Sequence, residues 1–207
     1  GLYTPIVKGW LTELAQELTY LGTQVHGGMG YVEETGSAQF YRDARIMTIY
    51  EGTTGIQGLD LAGRKTLGDN GAALQGLLDE ILATAEQMET VDGLEAMAEV
   101  LKSAVHSGTQ ARAWLLEHGS QDRNAVGGAS VNFMMLMGYL CGGWVMGKSA
   151  LKAIQLLEAG ADDEAFLNTK QVTARFYFEH LLPRSASYLA TILAGNEITM
   201  ALDVEQF

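Results

Sequence analysis

Apolar residues recur at three- and four-residue steps over most of this chain and nowhere alternate for the length of a useful strand, a pattern that restricts the fold to packed helices. From Ile6 to Val25 the positions Ile6, Val7, Trp10, Leu11, Leu14, Ala15, Leu18, Leu21, Gly22 and Val25 mark one amphipathic helix, which Gly27-Gly28 ends. A glycine-rich loop through Gly30 follows, then a shorter helix from about Gly36 to Ile46. A third helix is expected to start near Glu51 and run to about Leu67. The stretch Gly68-Asp69-Asn70-Gly71 breaks the pattern and is the expected boundary between a first unit, residues 1–70, and a second, residues 71–207.

Beyond that boundary, Leu74, Leu77, Leu78, Ile81, Leu82, Ala85 and Met88 form one helical stripe. Leu94, Met97, Ala98, Leu101 and Val105 form another, with Val91-Asp92-Gly93 between them. Long helices are expected over residues 125–157 and 165–193, the latter bent at Pro183, where the ring removes a backbone hydrogen bond. Four long helices with short connections predict an up-and-down bundle. Proline occurs twice, at Pro5 and Pro183, while Ala, Leu, Met, Gln and Glu abound, which fits an all-α fold class.

A formal charge of −12 argues against a nucleic-acid partner, because such affinity comes largely from Lys and Arg neutralising phosphates. One or two local arginines or backbone amides would still suffice for a cofactor phosphate. The single Cys141 lies in an apolar stretch without a disulfide partner, which fits a buried small hydrophobe and a reduced, cytoplasmic setting. No apolar run reaches the roughly 20 residues of a membrane span, and His26, His106, His118 and His180 are too scattered to suggest a metal site. The first residue is Gly, and Thr4-Pro5 reads as an N-cap with a first-turn proline, so the chain is expected to begin inside a longer gene product.

The block most informative about chemistry runs from Gln24 to Gln57. It offers a helix end, a glycine-rich turn whose amides can approach a phosphate or ribityl chain, the cluster Arg42-Asp43-Ala44-Arg45, and Glu51 beside Gly52-Thr53-Thr54-Gly55. An acid at a helix start, taken alone, is ordinarily structural, since the macrodipole stabilises it there.

The combination resembles the C-terminal signature of the acyl-CoA dehydrogenase family: a Gln-x-x-Gly-Gly-x-Gly-aromatic loop, then Arg-Asp-Ala-Arg/Lys, then Ile-Tyr-Glu-Gly-Thr. Gln24, Gly27, Gly28, Gly30, Tyr31, Arg42, Asp43, Ala44, Arg45, Ile49, Tyr50, Glu51, Gly52 and Thr53 stand in register. The resemblance implies FAD as cofactor, with Gln24, Gly27 and Gly28 reaching the FAD of a neighbouring subunit and Thr53 contacting the flavin. It implies Glu51 as the catalytic base that takes the α-proton of an acyl-CoA thioester, and Gly52 at the substrate. It further implies an electron-transfer flavoprotein as electron acceptor and a homodimer or homotetramer. Gln39 stands where many relatives carry a basic residue, and Gly55 where they often carry Gln, which puts one flavin contact in doubt. The family's N-terminal helical and middle β domains are not in this sequence, so the chain by itself is expected to be inactive. Residues from about 71 onward resemble the additional helical region of larger bacterial members, the group that includes the 3-methylmercaptopropionyl-CoA dehydrogenases.

Two rival readings are available. Gly142-Gly143-Trp144-Val145-Met146-Gly147-Lys148-Ser149 satisfies the phosphate-loop pattern G-x-x-x-x-G-K-[ST], but that mechanism needs a strand and an open loop, whereas this stretch sits inside a long apolar helix. Its glycines are expected to let helices approach, with Lys148 reaching to water. The other rival is a non-catalytic helical interaction module in which Glu51 only starts a helix. Met134, Met135 and Met137 are expected in the core.

Overall fold

The computed structural model describes residues 1–206, and among them the fold is all-α. Helix α1 covers Tyr3–Val25, a single turn α2 covers Gly28–Tyr31, α3 covers Ser37–Ile46 and α4 covers Thr54–Leu59. The last of these runs on into a wider π turn over Asp60–Thr66. Then come α5 (Ala72–Glu89), α6 (Glu95–His118), α7 (Arg123–Glu158), α8 (Glu164–His180) and α9 (Arg184–Leu193).

Helix α7 is the axis of the structure. At 36 residues it is about 54 Å long, and α1, α4, α5, α6, α8 and α9 all pack on it. Asp122 begins it by accepting the Asn124 amide at 2.8 Å. It is the one described helix with the length and apolarity to cross a bilayer, yet 61% of its most apolar window is buried. Phe133, Met134, Leu136, Met137 and Leu140 are fully enclosed by the neighbouring helices. Met134 and Met137 are core residues, as expected; Met135 is only partly buried beside them.

The glycines of the phosphate-loop lookalike lie within this continuous helix. A Cβ on Gly142 would run into the Tyr177 hydroxyl of α8, and one on Gly147 into Met88 of α5. They are sites of close helix approach, not a ligand cradle. Lys148 lies over the Trp144 ring at 4.6 Å, while the Trp144 indole donates to Thr84 Oγ1 at 2.8 Å.

The first third of the chain shares this core. Ile6 and Trp10 of α1, with Leu61 and Ala62 after α4, are buried in the same apolar cluster as α5–α9. The Trp10 ring meets Tyr139 edge-on at 5.6 Å, and Tyr139 stacks on Tyr188 at 5.8 Å. Arg184 joins the group from α9, donating to Glu17 Oε2 of α1 at 2.7 Å and to the Tyr139 hydroxyl at 3.0 Å. The Tyr177 hydroxyl donates to the Tyr139 carbonyl at 2.9 Å, and burial raises its pKa.

Three expectations are corrected. The helix expected over 165–193 is two helices, because the chain leaves helical geometry at Leu181 and Pro183 opens α9. The bundle therefore has five helices rather than four. Finally, the third helix does not begin at Glu51, which lies in the loop before Thr53, the true N-cap of α4.

Two measurements check this packing. Gly142→Ala is expected to cost about 1–3 kcal/mol by overpacking against Tyr177. Gly127→Ala, on an exposed part of the same helix with open space at its Cβ, should stabilise by up to about 1 kcal/mol. Urea unfolding of the two variants separates close approach from helix propensity. The hydrogen bond from Arg184 holds the Glu17 carboxyl below its usual range. Its contribution is therefore full above the unfolded value of about 4.3 and fades as pH falls through the lower folded value. Both partners are over a third exposed, so Glu17→Gln should cost about 1 kcal/mol or less at pH 7. The gap to wild type should close in unfolding curves recorded below about pH 4.

Candidate active site

Glu51 sits on the loop Met47–Thr53 between α3 and α4, and its backbone is left-handed, with φ +52°. An L-residue pays about 1–2 kcal/mol for that conformation, so it persists only where surrounding contacts enforce it. Gly52 follows with φ +93°, which glycine adopts freely. Thr53 then caps α4, its Oγ1 accepting the Ile56 amide at 3.3 Å while its hydroxyl proton stays available. The Glu51 side chain is exposed. Among the described residues its carboxylate pairs with no cation, and its amide donates to no acceptor.

The loop is tied to α1. Lys8 Nζ donates to the Met47 carbonyl at 2.7 Å and to the Gly52 carbonyl at 2.5 Å. The Thr54 hydroxyl donates to Glu13 Oε1 at 2.5 Å. From α4, Gln57 Nε2 reaches the Glu51 carbonyl at 3.4 Å, and the Thr54 amide reaches the Thr48 carbonyl at 3.3 Å. The nearby arginines serve the local frame: Arg45 donates to Thr48 Oγ1 at 2.9 Å, and Arg42 binds both oxygens of Glu33 at 3.1 and 3.2 Å.

The glycine-rich turn lies at the far end of α1. Gln24, Gly27 and Gly28 are exposed, and a Cβ added at either glycine would meet nothing within 4 Å. Gly27 has φ +60° and opens the turn α2. Gln24 also lines a cleft of about 760 Å³ with Tyr20, Gly30, Tyr31 and Arg42, a cleft that Glu51, Gly52 and Thr53 do not line. Lys8 and Gln24 are sixteen residues apart on α1, roughly 24 Å at 1.5 Å per residue. The sequence-predicted residues thus form two groups at opposite ends of one helix.

Two family models match this chain. "Acyl-CoA dehydrogenase, C-terminal domain" matches residues 1–67, and "Acetyl-CoA dehydrogenase C-terminal like" matches residues 77–203. The chain belongs to the acyl-CoA dehydrogenase family. It is 45% identical over 179 residues to 3-methylmercaptopropionyl-CoA dehydrogenase of Ruegeria pomeroyi, covering 86% of this chain and 30% of that protein. It is 31% identical over 214 residues to the broad-specificity linear acyl-CoA dehydrogenase FadE5 of Mycobacterium tuberculosis, covering 100% of this chain and 35% of that protein. A shorter match, 38% identical over 58 residues, is to the caffeyl-CoA reductase-Etf complex subunit CarC of Acetobacterium woodii, covering 28% of this chain and 15% of that protein. The chain spans about a third of the length of the first two relatives.

Two features of the family block were not read from the sequence. Gly30 is buried, and a Cβ there would collide with the Thr23 carbonyl, so it sets how closely α2 folds back on α1. Lys8 and Glu13 lie outside every motif and reach the loop only through the fold. Gly30→Ala is expected to cost about 1–3 kcal/mol in urea unfolding, since backbone cannot move aside as a side chain can. Gly28→Ala, with open space and no positive φ, should stay within about 0.5 kcal/mol of wild type.

Proposed function

We propose that this chain is the C-terminal third of a flavin-dependent acyl-CoA dehydrogenase in which Glu51 is the base that removes the α-proton of an acyl-CoA thioester. The observation that carries the reading is the conformation of Glu51: left-handed, exposed, with a carboxylate and an amide that no described residue engages. A strained acid with both groups free suits a residue whose partners arrive with the substrate. The Glu51 amide donates to the thioester carbonyl and stabilises the negative charge that grows there as the α-proton leaves. Glu51 takes that proton on a carboxylate oxygen. Gly52 lets the chain turn sharply beside the thioester.

The residues assigned to FAD fit it chemically. Thr53 keeps a hydroxyl proton to donate, Gln24 an unengaged amide, and Gly27 and Gly28 a backbone open to close approach. The flavin, when bound, supplies the oxidant for the hydride leaving the β-carbon. The placement of the two groups toward opposite ends of α1 supports their serving two different FAD molecules, one in the same subunit and one in a neighbour, and hence a homodimer or homotetramer. An electron-transfer flavoprotein is the proposed acceptor, in line with the Etf complex in the name of one relative. Cys141, whose thiol pKa burial pushes up to about 12, fits a reduced cytoplasmic setting.

The surface supports a larger assembly. Sixteen of the exposed large apolar side chains lie between Tyr3 and Leu59, and none lies between residues 60 and 144. This concentration of exposed apolar side chains in one third of the chain supports further protein packing against it.

The test is anaerobic reduction of the flavin in the intact dehydrogenase by a panel of acyl-CoAs. Wild type should bleach with its preferred substrate, and Glu51→Gln should slow the reaction on the order of 100- to 10,000-fold. A protein that binds no flavin, or a variant as fast as wild type, would return the chain to the interaction-module reading.

A further inference from the structure

One backbone bond closes the Glu51 loop, from the Thr54 amide to the Thr48 carbonyl at 3.3 Å, and Gln57 Nε2 reaches the Glu51 carbonyl at 3.4 Å. The amides of Ile49 and Tyr50 still bond back to Ile46 at the end of α3, but among the described residues those of Glu51, Gly52 and Thr53 donate to nothing. From outside the loop, one side chain brackets it. The ammonium of Lys8 takes the Met47 carbonyl on one side of Glu51 and the Gly52 carbonyl on the other, and no described carboxylate lies within ion-pair reach of it. Its cationic end also faces the Tyr50 ring at 6.0 Å. Five residues further along α1, Glu13 holds the Thr54 hydroxyl just past the loop. Two charged side chains on a helix anchored in the core therefore grip both ends of the segment that carries the strained residue.

The geometry points to Lys8 as the positioning residue for Glu51, with Glu13 as its second anchor: bridging the two carbonyls holds Glu51 left-handed and aims its amide and carboxylate together at the thioester. This assignment rests on the dehydrogenase reading. Three features favour positioning over general support of the fold. The two bonds bracket the segment Thr48 to Glu51, the second of them on the residue directly after Glu51. They are made by a cation to neutral carbonyls, which strengthens each of them. Under the dehydrogenase reading the amide and the carboxylate of this single residue serve one reacting group, where a shift of about 1 Å can cost on the order of 100-fold in rate.

The experiment uses the intact flavin-containing dehydrogenase and three variants: Lys8→Met, which keeps the apolar stem, Lys8→Arg, which keeps a cationic donor fork, and Glu51→Gln. The readouts are flavin content, acyl-CoA affinity, the rate of anaerobic flavin reduction, and the isotope effect on that rate with α-deuterated substrate. Lys8→Met is expected to retain flavin and acyl-CoA affinity, to be reduced on the order of 10- to 100-fold more slowly, and to show a larger α-deuterium effect as proton removal becomes limiting. Lys8→Arg should recover a substantial part of the rate. Reduction of Lys8→Met at the wild-type rate overturns the proposal. So does a rate loss matched by lost flavin with an unchanged isotope effect, which is the signature of a structural role. Failure of the underlying reading looks different: wild type is reduced by no acyl-CoA, or Glu51→Gln reacts as fast as wild type.

Discussion

The indole of Trp10 lies across α7 at Gly138, where any side chain would collide with it, and its edge meets Tyr139. This contact seats α1 on the long central helix, and the rest of the first third follows from it. Glu17, two turns further along, reaches Arg184 of α9, so α1 is fixed at two points and cannot roll. A helix fixed in that way can carry Lys8 and Glu13 at defined heights beside the Glu51 loop. A second close crossing, where Gly58 of α4 lies against the Ser130 backbone of α7, holds the other end of that loop. The candidate site is thus built on loops but registered against the core of the bundle. That is how a surface segment obtains the precision chemistry requires.

The helices were legible because burial on one face writes a 3.6-residue period into α1, α5 and α7. The break at Leu181 was not, because nothing local distinguishes a proline that bends a helix from one that opens the next. Arg184, immediately after, is drawn to Glu17 and Tyr139, contacts that exist only once α1 is in place. The beginning of α4 was misjudged for a related reason. Glu51 has adequate helix propensity, and its loop is held by side chains of α1, far earlier in the chain.

The same division applies to the site. Gln24, Gly27, Gly28, Glu51, Gly52 and Thr53 stand in a dense spaced pattern, and such a pattern can be matched without knowing the fold. Lys8 and Glu13 form no motif with the loop, since their relation to it is set by the approach of two helices and not by spacing. Gly30 was visible as part of the loop, but its purpose, room for the Thr23 carbonyl, is a property of backbone packing. Sequence pattern therefore supplies the residues proposed to touch ligands, while the residues that hold those in place are written in tertiary contacts.

The separation between Trp10 and Gly138 has a consequence for synthesis. Roughly 130 residues lie between them, and a ribosome adding about 5–20 residues per second needs on the order of ten seconds to deliver α7 after α1 has emerged. Throughout that interval α1 has α3 and α4 to pack on, but Trp10 lacks the α7 surface that covers it in the finished fold. The bundle partners α5 and α6, adjacent in sequence, suffer no such delay. During translation the first third of the chain therefore waits longest for its partner, and a slow-down after α4 would lengthen that exposure without touching any contact of the finished fold.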